Sequence, residues 1–220
     1  TSITRLKTTS DYGKESTRGK SELTSNIDNK TQGLDKDYAT QWSYGIAESM
    51  TLLIPNFYGG SSASSVLSLE DSKTLDFLKK FKNKKLANSL AQYKSSSYWG
   101  DQPIVSGPTY AGAIVIFLFI LGLLFVKSEF RIWLLLATIM SLMLAWGKNF
   151  MPLTDFFLDF FPGYNKFRAV SMILIIAEFT IPLLGFIALD KFLSSSVDNK
   201  EKQKPLKLAF YITGGLTLIF

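Results

Sequence analysis

Residues 110–126, YAGAIVIFLFILGLLFV, and residues 132–146, IWLLLATIMSLMLAW, decide how this chain folds. Neither run contains a charged residue, and apolar runs of this length are accepted only by lipid or by a very large core. Residues 127–131 join them in a short turn, so the pair reads as a helical hairpin. The second run is short for a span, and it gains length by extending across Arg131 or Lys148, with those side chains snorkelling to the interface.

Working outward, a third span covers about 170–189 and is kinked at Pro182. A fourth begins at 208 and runs to 220, where its apolar residues cover about 20 Å of a hydrocarbon layer about 30 Å thick. With the first span at 109–126 and the second at 132–146, residues 108–220 read as a transmembrane region and 147–169 as an interfacial loop. The average composition, 47% apolar and 14% aromatic, resembles that of a globular protein, but charge is concentrated in residues 1–107. The expected fold is mainly α: a polytopic transmembrane helical bundle fragment carrying an extracytoplasmic, partly irregular helical segment over 1–107. A start at Thr1, with neither Met nor a signal segment, reads as an internal piece of a longer protein.

Within the first segment, 1–36 is polar and shows neither helical nor strand period, so it reads as loop with short ordered pieces. Aromatic and apolar residues gather over 37–58 and end at Pro55 and the Gly59-Gly60 pair, which predicts a helix lying on the membrane surface. A small-residue linker, 61–68, leads to an amphipathic helix over about 69–93 with lysines on its outer faces. Those lysines form either a solvated face or a contact with anionic headgroups.

The chain has no cysteine and no histidine, which removes disulfides, thiolate nucleophiles and the commonest zinc and general-base chemistry. The net charge of +6 does not point to nucleic acid, because the lysines lie in loops beside apolar helices or on the amphipathic stretch. Anionic lipid or phosphate fits that distribution. The short loops at 127–131 and 190–207 together hold seven Lys and Arg, against three in 147–169. By the positive-inside rule the seven-charge side is cytoplasmic, which puts 1–107 and 147–169 outside.

The loop GKNFMPLTDFFLDFFPGYNKFRAV, starting at Gly147, combines phenylalanines, carboxylates and cations as an interfacial segment does. Pro152 opens a short helix in which Asp155 and Asp159 share a face. That pair either holds a divalent cation, does acid/base work, or forms the wet face of an interfacial helix. No dedicated metal site or cofactor is expected. Lys166 and Arg168 at the start of the third span, and Lys148 after the second, are candidates for binding a lipid phosphate or for anchoring at the interface. Glu178 lies inside the third span and is expected to face the protein interior, as a functional carboxylate or a structural hydrogen bond. Trp42, Glu48, Trp99 and Asp101 combine aromatic rings with carboxylates, either as a sugar site or as an aromatic belt.

The stretches TRGKSELT, GLDKDYATQWSYG, TLLIPNFYGG, YWGDQP, WGKNFMPLTDFFLDFFPGYNKFRAVSM and AEFTIPLLGF, taken together, resemble the YfhO-type bacterial membrane proteins. That family is similar to the C-type glycosyltransferases, which take sugar from a polyprenyl-phosphate donor on the extracytoplasmic face. The resemblance implies a multi-pass protein of the bacterial inner membrane that moves a sugar from a polyprenyl-phosphate-linked donor to an envelope polysaccharide. It also implies that the catalytic carboxylate lies upstream of Thr1, and that Lys166 and Arg168 in PGYNKFRAVSM are a basic pair at the outer surface. A transporter or flippase of lipid-linked sugars, gated at Glu178 and Pro182, and a non-catalytic envelope assembly protein are the alternative expectations.

Overall fold

A computed structural model describes residues 2–16, 18, 19, 27–62, 80, 84, 85, 97–107, 109–194 and 199–219. The chain is mainly helical, with no strand among the described residues. Apart from three isolated positions, the amphipathic helix expected over 69–93 lies outside them.

The first element corrects an expectation of loop: α1 runs Ser2–Lys14. It contains no proline, and the Thr8 hydroxyl donates to the Thr4 carbonyl one turn back. Ile3, Leu6 and Tyr12 are all exposed, so no buried face imprints a period on the sequence. The helix expected over 37–58 is also absent as a unit. In its place stand the single turn α2, Lys36–Ala39, and the 3-10 turn Ala47–Leu52. Between them the backbone makes tertiary bonds: Tyr44 N donates to Ala145 O at 2.8 Å, and Ser171 N donates to Trp42 O at 3.2 Å. Those partners take the groups that a continuous helix would have paired internally.

The apolar half forms α3, Ala113–Phe125; α4, Glu129–Ala145; α5, Met151–Phe160; α6, Leu174–Ser194; and α7, Asn199–Ile219. The first helix is shorter than expected because Gly112 adopts φ 106°, and both Ala111 N and Gly112 N donate to Leu52 O at 3.1 Å. Ser128 caps α4 by accepting from Phe130 N, so α4 starts ahead of Arg131. The 3-10 turn Val170–Ile173 runs straight into α6. These 25 residues, Val170–Ser194, are the one helix among the described residues long and apolar enough to cross a membrane alone. The α4–α5 pair passes that test only together, across a bend of 112°. Helix α7 starts well before 208, with Lys200, Glu201, Lys202 and Lys204 in its first part.

Packing divides the chain into two units, each made of two separated stretches: Thr1–Ile46 with Lys127–Ile181, and Ala47–Val126 with Pro182–Phe220. This division is one of contacts. The expected boundary at 107/108 is one of solvent, and the packing does not bear on it.

In the first unit, Tyr44, Ala145 and Leu174 form one buried cluster with Leu142, Trp146 and Ile173 against it. Leu34, Ala39 and Leu158 form another, covered by Tyr164. Helices α4 and α6 meet through small polar groups: the Thr138 and Thr180 hydroxyls lie 2.7 Å apart, and Ser141 Oγ donates to Ile173 O while accepting from Ala177 N. In the second unit α3 packs along α7, and Gly122 lets the Leu184 side chain approach its backbone. Tyr98 OH and Gln102 Nε2 both donate to Glu48 Oε1, at 2.9 and 3.1 Å, which pins the loop around 98–102 to the 3-10 turn Ala47–Leu52.

Candidate functional site

The site grows from the bend that follows α4. Gly147 takes φ 45°, and a Cβ there would overlap Ser43 Oγ, so the turn needs both the conformation and the smallness of glycine. Ser43 Oγ donates to Thr40 O at 2.6 Å and accepts from Lys148 N at 2.8 Å, which ties the segment after α2 to the bend. Pro152 stands in the first turn of α5, where its missing N–H costs nothing. Thr154 Oγ1 donates back to Gly147 O at 2.9 Å.

From α5 the chain returns through the 3-10 turn Tyr164–Lys166. Leu34 N donates to Asn165 O at 2.8 Å, and Asn165 Nδ2 donates to Leu158 O at 3.2 Å. Lys166 Nζ donates to the carbonyls of Arg18 and Gln32, at 2.8 and 2.6 Å. That ammonium therefore ties the backbone at Arg18 and at Gln32 to the loop. Lys36 Nζ lies 2.6 Å from Asp155 Oδ1, and the hydrogen bond to Asp155 raises the Lys36 pKa above its ordinary 10.5, against the opposing effect of burial.

Arg168 has the most distinctive surroundings. Its Nη1 donates to Tyr38 OH at 2.7 Å, and its guanidinium carbon lies 4.8 Å from the Trp42 ring centre and 5.5 Å from that of Tyr38. Two aromatic rings thus hold one planar cation whose remaining N–H groups can still reach a ligand. The next residue, Ala169, sits at φ 67°, a left-handed conformation unusual for alanine, and the chain then enters the turn that starts at Val170. Ser16, Arg18, Leu34, Tyr38 and Arg168 line one cavity of about 390 Å³. It offers two guanidinium groups and the Tyr38 hydroxyl, a donor set suited to an oxyanion, while the Ser16 hydroxyl already donates to Gly13 O at 2.9 Å.

The expected site residues separate accordingly. Of the three phosphate-binding candidates, Arg168 lines the cavity, Lys166 is spent on backbone carbonyls, and Lys148 is exposed. Asp155 is engaged by Lys36 and Asp159 is exposed, and no group of three metal-ligating side chains occurs among the described residues. Of the sugar candidates, Trp42 belongs to the first unit beneath Arg168, whereas Glu48, Trp99 and Asp101 belong to the second. Glu48 is 3% exposed and bonded to Tyr98 and Gln102, a structural carboxylate, while Trp99 is 84% exposed. Burial pushes the Tyr98 hydroxyl pKa well up, with Glu48 adding to the effect. Glu178 is exposed on α6, contrary to the expectation that it faces inward, because the buried seam runs through Leu174, Ala177, Ile181, Leu184 and Ala188.

Arg18, Ser16 and Tyr38 were missed. Arg18 lies in a polar stretch without period. Only the four-residue spacing of Tyr38 and Trp42, in YATQW, hinted at a shared face. No family model, curated protein or solved structure matches the chain.

Proposed function

We propose that this chain is part of a polytopic protein of the bacterial inner membrane that moves a sugar from a polyprenyl-phosphate donor to an envelope polysaccharide on the extracytoplasmic face. In this reading α3, α4, α6 and α7 are membrane helices, and residues 1–107 and 147–169 lie outside. Exposed Phe130, Ile132 and Trp133 on α4, and Phe156 and Phe160 on α5, support a lipid setting, since they turn large apolar surface away from the protein.

One observation carries the proposal: Arg168, held against Trp42 and Tyr38, shares a cavity with Arg18. When the bond between the sugar's anomeric carbon and the phosphate oxygen breaks, negative charge builds on the departing phosphate. Guanidinium groups already in place stabilise that charge more than the ground state, which is what accelerates transfer. The acceptor hydroxyl attacks the anomeric carbon; no residue described here is assigned as its base.

The test is Arg168→Lys in the full-length protein. A lysine keeps the charge but loses the planar fork and the stacking, so donor consumption in proteoliposomes is expected to fall about tenfold or more, equivalent to about 1.4 kcal/mol of transition-state stabilisation. Equal rates at matched protein level return Arg168 to an interfacial anchor.

A further inference from the structure

Glu178 is exposed in the first part of α6, at the flank of an outward stripe that includes Met172, Ile175, Phe179 and Phe186, which are 74, 68, 66 and 65% exposed. Counted along Val170–Ser194, it stands about 12 Å from the first residue and about 24 Å from the last. Its short side chain cannot reach an interface from that depth as Lys and Arg do. Two residues on, Thr180 is satisfied by the Thr138 hydroxyl and by its own helix carbonyls, whereas Glu178 has no hydrogen bond or ion pair among the described residues. A carboxyl group facing hydrocarbon without a partner is strongly unfavourable, so membrane proteins turn such groups toward protein.

We infer that the Glu178 flank of α6 is an interface for a further membrane helix that presents a hydrogen-bond donor to the carboxyl group. The inference rests on the reading of α6 as a membrane span. Charge and polarity select the occupant: acyl chains match Ile175 and Phe179 but offer nothing to Glu178, while a helix with a basic, hydroxyl or amide side chain matches all three. The exposed rings and branched chains on either side supply the packing that brings such a donor into reach.

These 220 residues contain no cysteine, so single cysteines at Ile175 and Phe179 can carry nitroxide labels, with Trp133 on α4, 67% exposed, as the lipid-facing reference. The full-length protein in liposomes is then probed with oxygen, which partitions into lipid, and with a water-soluble nickel chelate. Low collision rates with both probes at Ile175 and Phe179 are expected. In that background Glu178→Leu is expected to shift helix association about threefold toward the exposed state, the size of one interhelical hydrogen bond, and Glu178→Gln is expected to preserve it. Oxygen accessibility equal to that at Trp133 places the face in lipid and overturns the inference while leaving the span intact. High accessibility to the chelate places α6 in water and overturns the span itself. Dipolar broadening between labels identifies the occupant as a second copy, and an unchanged Glu178→Leu signal shows that packing alone holds the interface; either overturns the assigned partner.

Discussion

Arg168, Lys36 and Tyr164 are three polar side chains in one unit with different physical fates. Arg168 presents its guanidinium at the cavity and rests on two rings, whereas the Lys36 ammonium is committed to Asp155. The native pKa of Lys36 is raised, so its contribution to stability is complete below about 10.5 and is lost as pH rises through the higher native value. Both partners keep contact with solvent, so Lys36→Met is expected to cost only about 0.5 kcal/mol at neutral pH, and the difference from wild type should vanish in alkaline unfolding experiments. Tyr164 packs over Leu34, Ala39 and Leu158, its hydroxyl is buried without a hydrogen-bond partner among the described residues, and burial raises its pKa. Removing an unpaired buried hydroxyl relieves a desolvation penalty, so Tyr164→Phe is expected to be neutral or slightly stabilising in thermal unfolding. A loss above about 1.5 kcal/mol would reveal a partner for that hydroxyl.

Among the elements, the bend between α4 and α5 depends on a single backbone position. Gly147→Ala forces a left-handed alanine and a collision with Ser43 Oγ, and is expected to destabilise the protein by about 2 kcal/mol or more. The contrasting substitution is Gly13→Ala, where an added Cβ meets nothing within 4 Å and the residue lies in α1. That change is expected to increase helix content, stabilising α1 by up to about 1 kcal/mol, read by circular dichroism. Opposite outcomes for the two glycines would show that the bend is tolerant and that α1 does not form. The short Pro152-led helix was legible in the sequence, because its start signal and four-residue spacings are local. The helix expected over 37–58 was not, because Trp42 and Tyr44 pair with residues more than a hundred positions away.

At the scale of the molecule, each packing unit joins an N-terminal stretch to a distant one, so neither unit corresponds to a continuous segment of chain. Sidedness is tested by cysteines at Ser62 and Ser194, probed with an impermeant thiol reagent in spheroplasts. Ser62 is expected to react and Ser194 not, and the reverse pattern would place the Arg168 cavity on the cytoplasmic side. What the sequence determined by itself was the mainly helical character, the apolar runs around which α3, α4 and α6 form, and the absence of cysteine and histidine, because these depend on composition and on spacings within a few turns. It also pointed to Arg168, since a guanidinium beside an apolar run is visible without tertiary knowledge. Only the tertiary structure decided that Arg18 and Tyr38 join Arg168, that Lys166 and Asp155 are already engaged, that Glu48 is structural and that Glu178 faces outward. Each of these depends on which distant groups compete for a donor, an acceptor or a buried face, and that competition is settled by long-range packing rather than by local pattern.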